Sequence, residues 1–206
     1  MKTTSNELQE LSLACHFFSR FLFLAPSQKD WEELAQTQSM DWIFDDATPE
    51  ENKLFQDFKK SLKSNLDDIA ADHAQLFTGP GELKATPWAS VYLSDEKQVF
   101  GDETIIVREY YDKYQFKSPN PFQEPEDHIG LEFQFIGILL QHLEQAKDDE
   151  VRGLIITDIR SFLDEHFFPW AEDCLNKAKT YAKTSFYQSI AALALLLITR
   201  LKNIAL

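Results

Sequence analysis

Apolar residues recur at spacings of three and four along most of this chain, and that periodicity limits the open folds more than any other feature. Leu8, Leu11, Cys15, Phe18 and Leu22 form one continuous stripe that ends at Pro26, which predicts a first helix. Ser27 can cap a short second helix carrying Trp31 and Leu34. Thr48-Pro49-Glu50-Glu51 is a helix-start signal: the threonine accepts an orphan N–H, proline fits the first helical position and Glu51 closes a capping box. From there Phe55, Phe58, Leu62, Leu66, Ile69, His73 and Leu76 predict a single long helix, stopped by Gly79-Pro80-Gly81. Strand-type alternation is essentially missing, so the expected class is all-α, a single-domain helical bundle.

Helical periodicity lapses from Gly79 to Gly101, which predicts a long structured loop between helices. A helix from Asp102 to about Phe116 follows, with Ile106, Tyr110 and Tyr114 on one face. Lys117-Ser118-Pro119-Asn120-Pro121 then breaks the chain. This is the expected hinge, dividing an N-terminal lobe 1–116 from a C-terminal lobe 122–206 within one domain spanning 1–206. The next helix should begin with Pro125 at its first position and Glu126 and Asp127 in its first turn, continuing through Leu131, Phe135, Ile138 and His142. Further helices are expected over Asp148–His166, Pro169–Ala182 and from Thr184 onward.

At 206 residues, 44% hydrophobic and 26% charged, the chain can bury enough apolar surface to fold. A net charge of −14 repels a nucleic-acid backbone, and no basic patch interrupts it. The start of the chain does not read as a secretory signal, so a cytoplasmic location is expected. Ile190 to Ile198 is too short an apolar run to span a bilayer, so no stable membrane insertion is expected. Cys15 and Cys174 read as two free thiols.

Signatures of chemistry are largely lacking. Gly79-Pro80-Gly81 has neither the spacing nor the Lys-Ser/Thr pair of a phosphate loop, and no histidine or cysteine set has zinc or di-iron spacing. No cofactor is therefore expected. His73 and His142 lie on apolar stripes and read as core residues. Asp127-His128 is an acid/base pair on paper, but neighbours on a helix do not face one another.

Four ordered elements carry a resemblance. Leu76-Phe77-Thr78-Gly79-Pro80 is followed by Thr86-Pro87-Trp88-Ala89-Ser90-Val91-Tyr92-Leu93, then Phe100-Gly101-Asp102, then Glu124-Pro125-Glu126-Asp127-His128. In order and spacing these resemble the F-x-G-P, P-W-x-S-V-(Y/W)-L, F-G and E-P-x-D-H elements of the TorD/DmsD family, chaperones of molybdenum-containing oxidoreductases. The DmsD-like branch is the nearer, and the resemblance covers most of the chain from Leu76 to Tyr187.

The resemblance implies a non-enzymatic cytoplasmic chaperone. Its partner would be the twin-arginine signal peptide of a DMSO- or TMAO-reductase-like client, held until cofactor insertion. It also implies a site. Trp88 and Tyr92 would line an apolar trough, Asp127 would pair with or orient a cationic group, and His128 would hydrogen-bond the peptide backbone. Pro87 and Gly79 would shape the loop, and Glu124 and Glu126 would add negative charge. GTP responsiveness, implied by the family alone, has no phosphate motif here. A helical enzyme using Asp127-His128 and a structural adaptor are the alternative readings.

Overall fold

The computed structural model describes residues 3–36, 47–119 and 124–206. Its helices in chain order are α1 (Ser5–Phe23), α2 (Gln28–Gln36), α3 (Pro49–Ser61), α4 (Leu66–His73), α5 (Ala89–Leu93), α6 (Asp102–Lys113), α7 (Ile129–Gln145), α8 (Asp149–Ser161), α9 (Phe168–Tyr181) and α10 (Ser185–Lys202). The all-α class is as expected. Among the described residues, no helix is long and apolar enough to cross a membrane.

Local start signals are realised as hydrogen bonds. Thr48 and Glu51 close their capping box at α3, Thr184 caps α10, and Ser27 Oγ accepts from the Asp30 amide at 3.2 Å. Glu51 then does more than cap. Its two oxygens, each 3.1 Å from Arg200, fasten the start of α3 to the end of α10.

One hydrophobic core joins the helices, with Phe18, Phe58, Phe133, Phe167, Trp170 and Phe186 fully enclosed. At its centre α1 lies against α7, and α10 lies against α9 and α3. The first pair approaches closely because α7 presents glycine. A Cβ on Gly130 would stand 2.7 Å from Phe23 Cβ and 3.0 Å from its amide nitrogen. One turn pair further, Ser12 Oγ donates to the Gly137 carbonyl at 2.8 Å. Gly130→Ala should therefore lower stability by about 1–3 kcal/mol despite alanine's better helix propensity, because the obstacle is backbone that cannot step aside. Gly153, exposed on α8 with nothing near its missing Cβ, is the control: Gly153→Ala should gain about 0.5–1 kcal/mol. Urea denaturation of both variants measures the contrast.

The structure corrects five expectations. The first is His142, read as a core residue but exposed on α7. The long third helix is broken: α3 ends at Ser61, and Asn65 starts α4 afresh by accepting from the amides of Asp67 and Asp68. A side chain that captures local N–H groups competes with helix continuation, which apolar spacing does not register. A π-helical turn, Ala74–Thr78, then leads to Gly79 at φ +83°.

The stretch from Gly79 to Gly101 is not all loop, since it contains α5. On α6 the buried face is Thr104, Val107 and Tyr111, while Ile106, Tyr110 and Tyr114 flank it half-buried. Finally α7 starts at Ile129, not at Pro125, so Glu126 and Asp127 precede the helix. The expected hinge falls partly outside the description, with Asn120 and Pro121 beyond the described residues.

Candidate functional site

The late start of α7 has a tertiary cause. Residues 87–89 and 127–129 pair as a short antiparallel bridge centred on Trp88 and His128. The Ala89 N–H donates to the Asp127 carbonyl at 3.0 Å, and the Ile129 N–H donates to the Pro87 carbonyl at 2.8 Å. Backbone committed to a bridge cannot also be the first turn of a helix. His128 instead serves as the cap of α7, its Nδ1 accepting from the Gly130 amide at 3.0 Å.

The Asp127 side chain is fully enclosed. One oxygen accepts from the Ser90 amide at 2.8 Å and the other from the Thr104 hydroxyl at 2.7 Å. Ser90 and Thr104 lie at the two ends of the segment 91–103, so a single carboxyl staples that segment at its base. Beside it, Arg108 makes a two-pronged ion pair with Glu126, both contacts 2.8 Å, and the Tyr111 hydroxyl donates to the Glu126 carbonyl at 3.0 Å. Thr104, Arg108 and Tyr111 are one stripe of α6, spaced by four and three. They grip residues 126 and 127 from one side.

Aromatic packing completes the seam. The His128 ring meets Phe23 edge-on at 5.0 Å between centroids and Trp88 at 6.3 Å. The Trp88 indole N–H donates to Glu124 at 2.7 Å. Burial pushes the Glu124 carboxyl above its ordinary range, against the stabilising Trp88 bond. His128 is driven the other way, down to about 3, by burial first and by His73 second, so it is neutral. Its 3.9 Å approach to Glu124 is therefore a contact and not an ion pair.

Tyr92 belongs to a neighbouring cluster on α9. Its ring lies 5.4 Å from Trp170 and under the Lys177 ammonium at 4.4 Å. Trp170 in turn donates to Glu132 at 3.3 Å. Glu132 is enclosed, with its other oxygen lacking a hydrogen-bond partner, and burial pushes its carboxyl well above the ordinary range. Enclosure in the core thus favours its protonated form over the carboxylate.

The structure brings Pro87, Trp88, Glu124, Glu126, Asp127 and His128 together, with Tyr92 two residues beyond Ser90 on α5. Gly79 acts at the other end of the loop, where its N–H donates to the Ala74 carbonyl at 2.7 Å. Surface access divides these residues. Trp88, Tyr92 and Glu124 are half-buried, whereas Pro87, Glu126, Asp127 and His128 are buried. The expectation that Asp127 faces a cationic group therefore meets a carboxyl with both oxygens engaged internally. Sequence reasoning missed Thr104 and Arg108, for which only the spacing on α6 gave a signal. Asp127 and His128 also offer nothing for acid/base work, since Asp127's oxygens and His128's Nδ1 are occupied and both residues are sealed from solvent. Among the described residues, no group of histidine, cysteine, aspartate and glutamate could hold a metal ion.

An all-helical protein whose aromatic loop is pinned to a helix start is the class that this geometry defines. The family described as nitrate reductase delta subunit matches residues 18–176. The chain belongs to that family and, within it, to the TorD/DmsD group whose motifs it carries. It is similar to a protein of Haemophilus influenzae described as a probable Tat proofreading chaperone DmsD, at 33% identity over 66% of this chain and 60% of that one. It is also similar to the Tat proofreading chaperone DmsD of Salmonella typhimurium, at 32% over 58% of this chain and 53% of the other. The chaperone protein TorD of Aliivibrio fischeri matches at 29% over 66% and 61% of the two chains. This chain thus spans between about half and two thirds of the length of these curated relatives. A crystal structure described as that of a redox enzyme maturation protein from Archaeoglobus fulgidus shares the fold. Its TM-score is 0.53 at 16% identity, covering 98% of this chain and 96% of that one.

Proposed function

We propose that this protein is a cytoplasmic chaperone for maturation of a molybdenum-containing oxidoreductase, binding the twin-arginine signal peptide of a DMSO- or TMAO-reductase-like client. The observation that carries the reading is the bridged seam, where a half-buried tryptophan hydrogen-bonds a half-buried carboxyl on a preformed backbone frame. Tryptophan supplies a rigid apolar surface with a polar edge, and the carboxyl supplies charge for an arginine. Relatives described as Tat proofreading chaperones agree with that partner class. In this reading Trp88, Tyr92 and Glu124 contact the peptide, while Asp127, His128 and Glu126 hold the frame, and Pro87 and Gly79 set the path of the loop.

Trp88→Ala should weaken binding of a twin-arginine peptide by about 2 kcal/mol or more, roughly thirtyfold in Kd. Helical content should be unchanged and Tm close to wild type, because the side chain is half-buried and not core. Calorimetric titration alongside circular dichroism decides it. Wild-type affinity in a folded Trp88→Ala variant would remove Trp88 from the peptide surface.

A further inference from the structure

Between its two anchor points on Asp127, the segment from Leu93 to Ile105 folds around an open groove of about 550 Å³. Three apolar side chains at this groove are exposed to solvent: Val99 at 38%, Phe100 at 54% and Ile105 at 52%. Large apolar groups left in water beside one another are typical of surfaces that another molecule covers. Phe100 also sits at φ +64°, a left-handed conformation that bulky residues rarely adopt.

The groove's rim is acidic. Asp95, Glu96 and Asp102 line it, and none is in an ion pair among the described residues. Asp102 has a local reason to be acidic, since it opens α6 at the positive end of the helix dipole. Asp95 and Glu96 follow the end of α5, where a carboxylate gains nothing from a helix end. Their charge faces outward around an apolar floor in a protein of net charge −14.

We infer that this groove is a second docking surface, taking a peptide segment in which basic residues stand beside apolar ones. The floor of Val99, Phe100 and Ile105 covers the apolar part, and the carboxylates of Asp95 and Glu96 meet the cationic part. This inference rests on the peptide-binding reading above and extends it from the Trp88 seam to a surface joined to it through Asp127. The occupant follows from charge complementarity. An acidic or wholly apolar segment would leave the carboxylates unpaired or desolvated.

The test uses the full chain and a fluorescent synthetic peptide with two arginines followed by an apolar stretch, read by anisotropy. Combined Val99→Ser, Phe100→Ser and Ile105→Ser changes touch only exposed side chains, so the fold should persist, as circular dichroism would report. The expected result is a loss of about tenfold or more in affinity. Asp95→Asn with Glu96→Gln should slow association at low salt, with the difference from wild type vanishing at high salt. Cys15 and Cys174 are buried, so a Phe100→Cys variant carrying a photo-crosslinker on that thiol should capture the peptide at one site.

Normal peptide affinity in the triple serine variant would overturn the inference, and if Trp88→Ala still impairs binding, the functional reading stands without it. Equal binding of a peptide whose arginines are replaced by glutamine would overturn the charge argument and with it the inference. Self-association of the wild type that the triple variant abolishes, with peptide affinity unchanged, would assign the groove to a second copy of the chain. No binding by the wild type at all would overturn both readings.

Discussion

Asp127→Ala should lower the unfolding free energy by about 2–5 kcal/mol, while Asp127→Asn should cost about 1 kcal/mol or less. The contrast follows from geometry. Alanine leaves the Ser90 amide and the Thr104 hydroxyl without their acceptor in an enclosed site, and each orphaned group costs about 1–3 kcal/mol. Asparagine can keep both contacts. Its carbonyl oxygen accepts from the Ser90 amide, and its NH2 donates to the Thr104 oxygen, which can turn to receive it. Urea denaturation with equal slopes would measure the two losses, and hydrogen exchange at the Ser90 amide would show whether the staple has opened. Thr104→Val should add little on top of Asp127→Ala, because the partner is already gone. Equal losses in the alanine and asparagine variants would mean that the carboxyl does something an amide cannot, and would return Asp127 to a direct charge role.

The second large effect is a pH dependence with opposing contributions. Burial holds His73 down to about 4 and His128 down to about 3, against 6.5 when unfolded. A depressed histidine contributes stability that is fully present above pH 6.5 and is lost as pH falls toward the folded value, because the unfolded chain takes up the proton first. Glu132 acts in the reverse sense. Its folded value lies well above 4.5, so its contribution is present below 4.5 and is lost as pH rises.

As pH falls below about 6.5, unfolding therefore takes up protons at His73 and His128, while Glu132, whose buried carboxyl holds its proton more tightly than in the unfolded chain, opposes that uptake by releasing its own. Each net proton changes stability by about 1.4 kcal/mol per pH unit. Glu132→Gln removes the opposing release, so its stability should fall more steeply with acid than that of the wild type. His73→Phe should be shallower by one proton, and the ring suits its place beside Phe77 and Tyr187. Chemical denaturation at half-unit pH steps gives the slopes, and parallel curves for all three proteins would show that these groups are not the ones linked to folding.

What could be read along the chain depended on how far apart the partners lie. The capping box at Thr48 and Glu51, the Thr184 cap and the stripe of α1 involve residues three or four apart, and local geometry alone brings such residues together. The break at Asn65 was also local, but its signal was a side chain competing for amides within an otherwise perfect apolar stripe. The ordered motifs pointed to Pro87, Trp88, Asp127 and His128 as a group, without saying how they touch.

Helix content, the acidic balance and the family motifs were thus determined by the sequence itself, because periodicity, caps, charge and short motifs are properties of neighbouring residues. Which carboxyl is buried, which glycine a facing helix needs and where α7 begins were decided only by the tertiary structure. Asp127 and Glu124 are both acids in one short motif, yet one is sealed between Ser90 and Thr104 while the other is half-buried at an indole N–H. That difference is set by the bridge between residues 87–89 and 127–129, a pairing of distant backbone groups. Backbone N–H and C=O groups are common to nearly every residue, so the one-dimensional pattern carries no mark of which of them will pair.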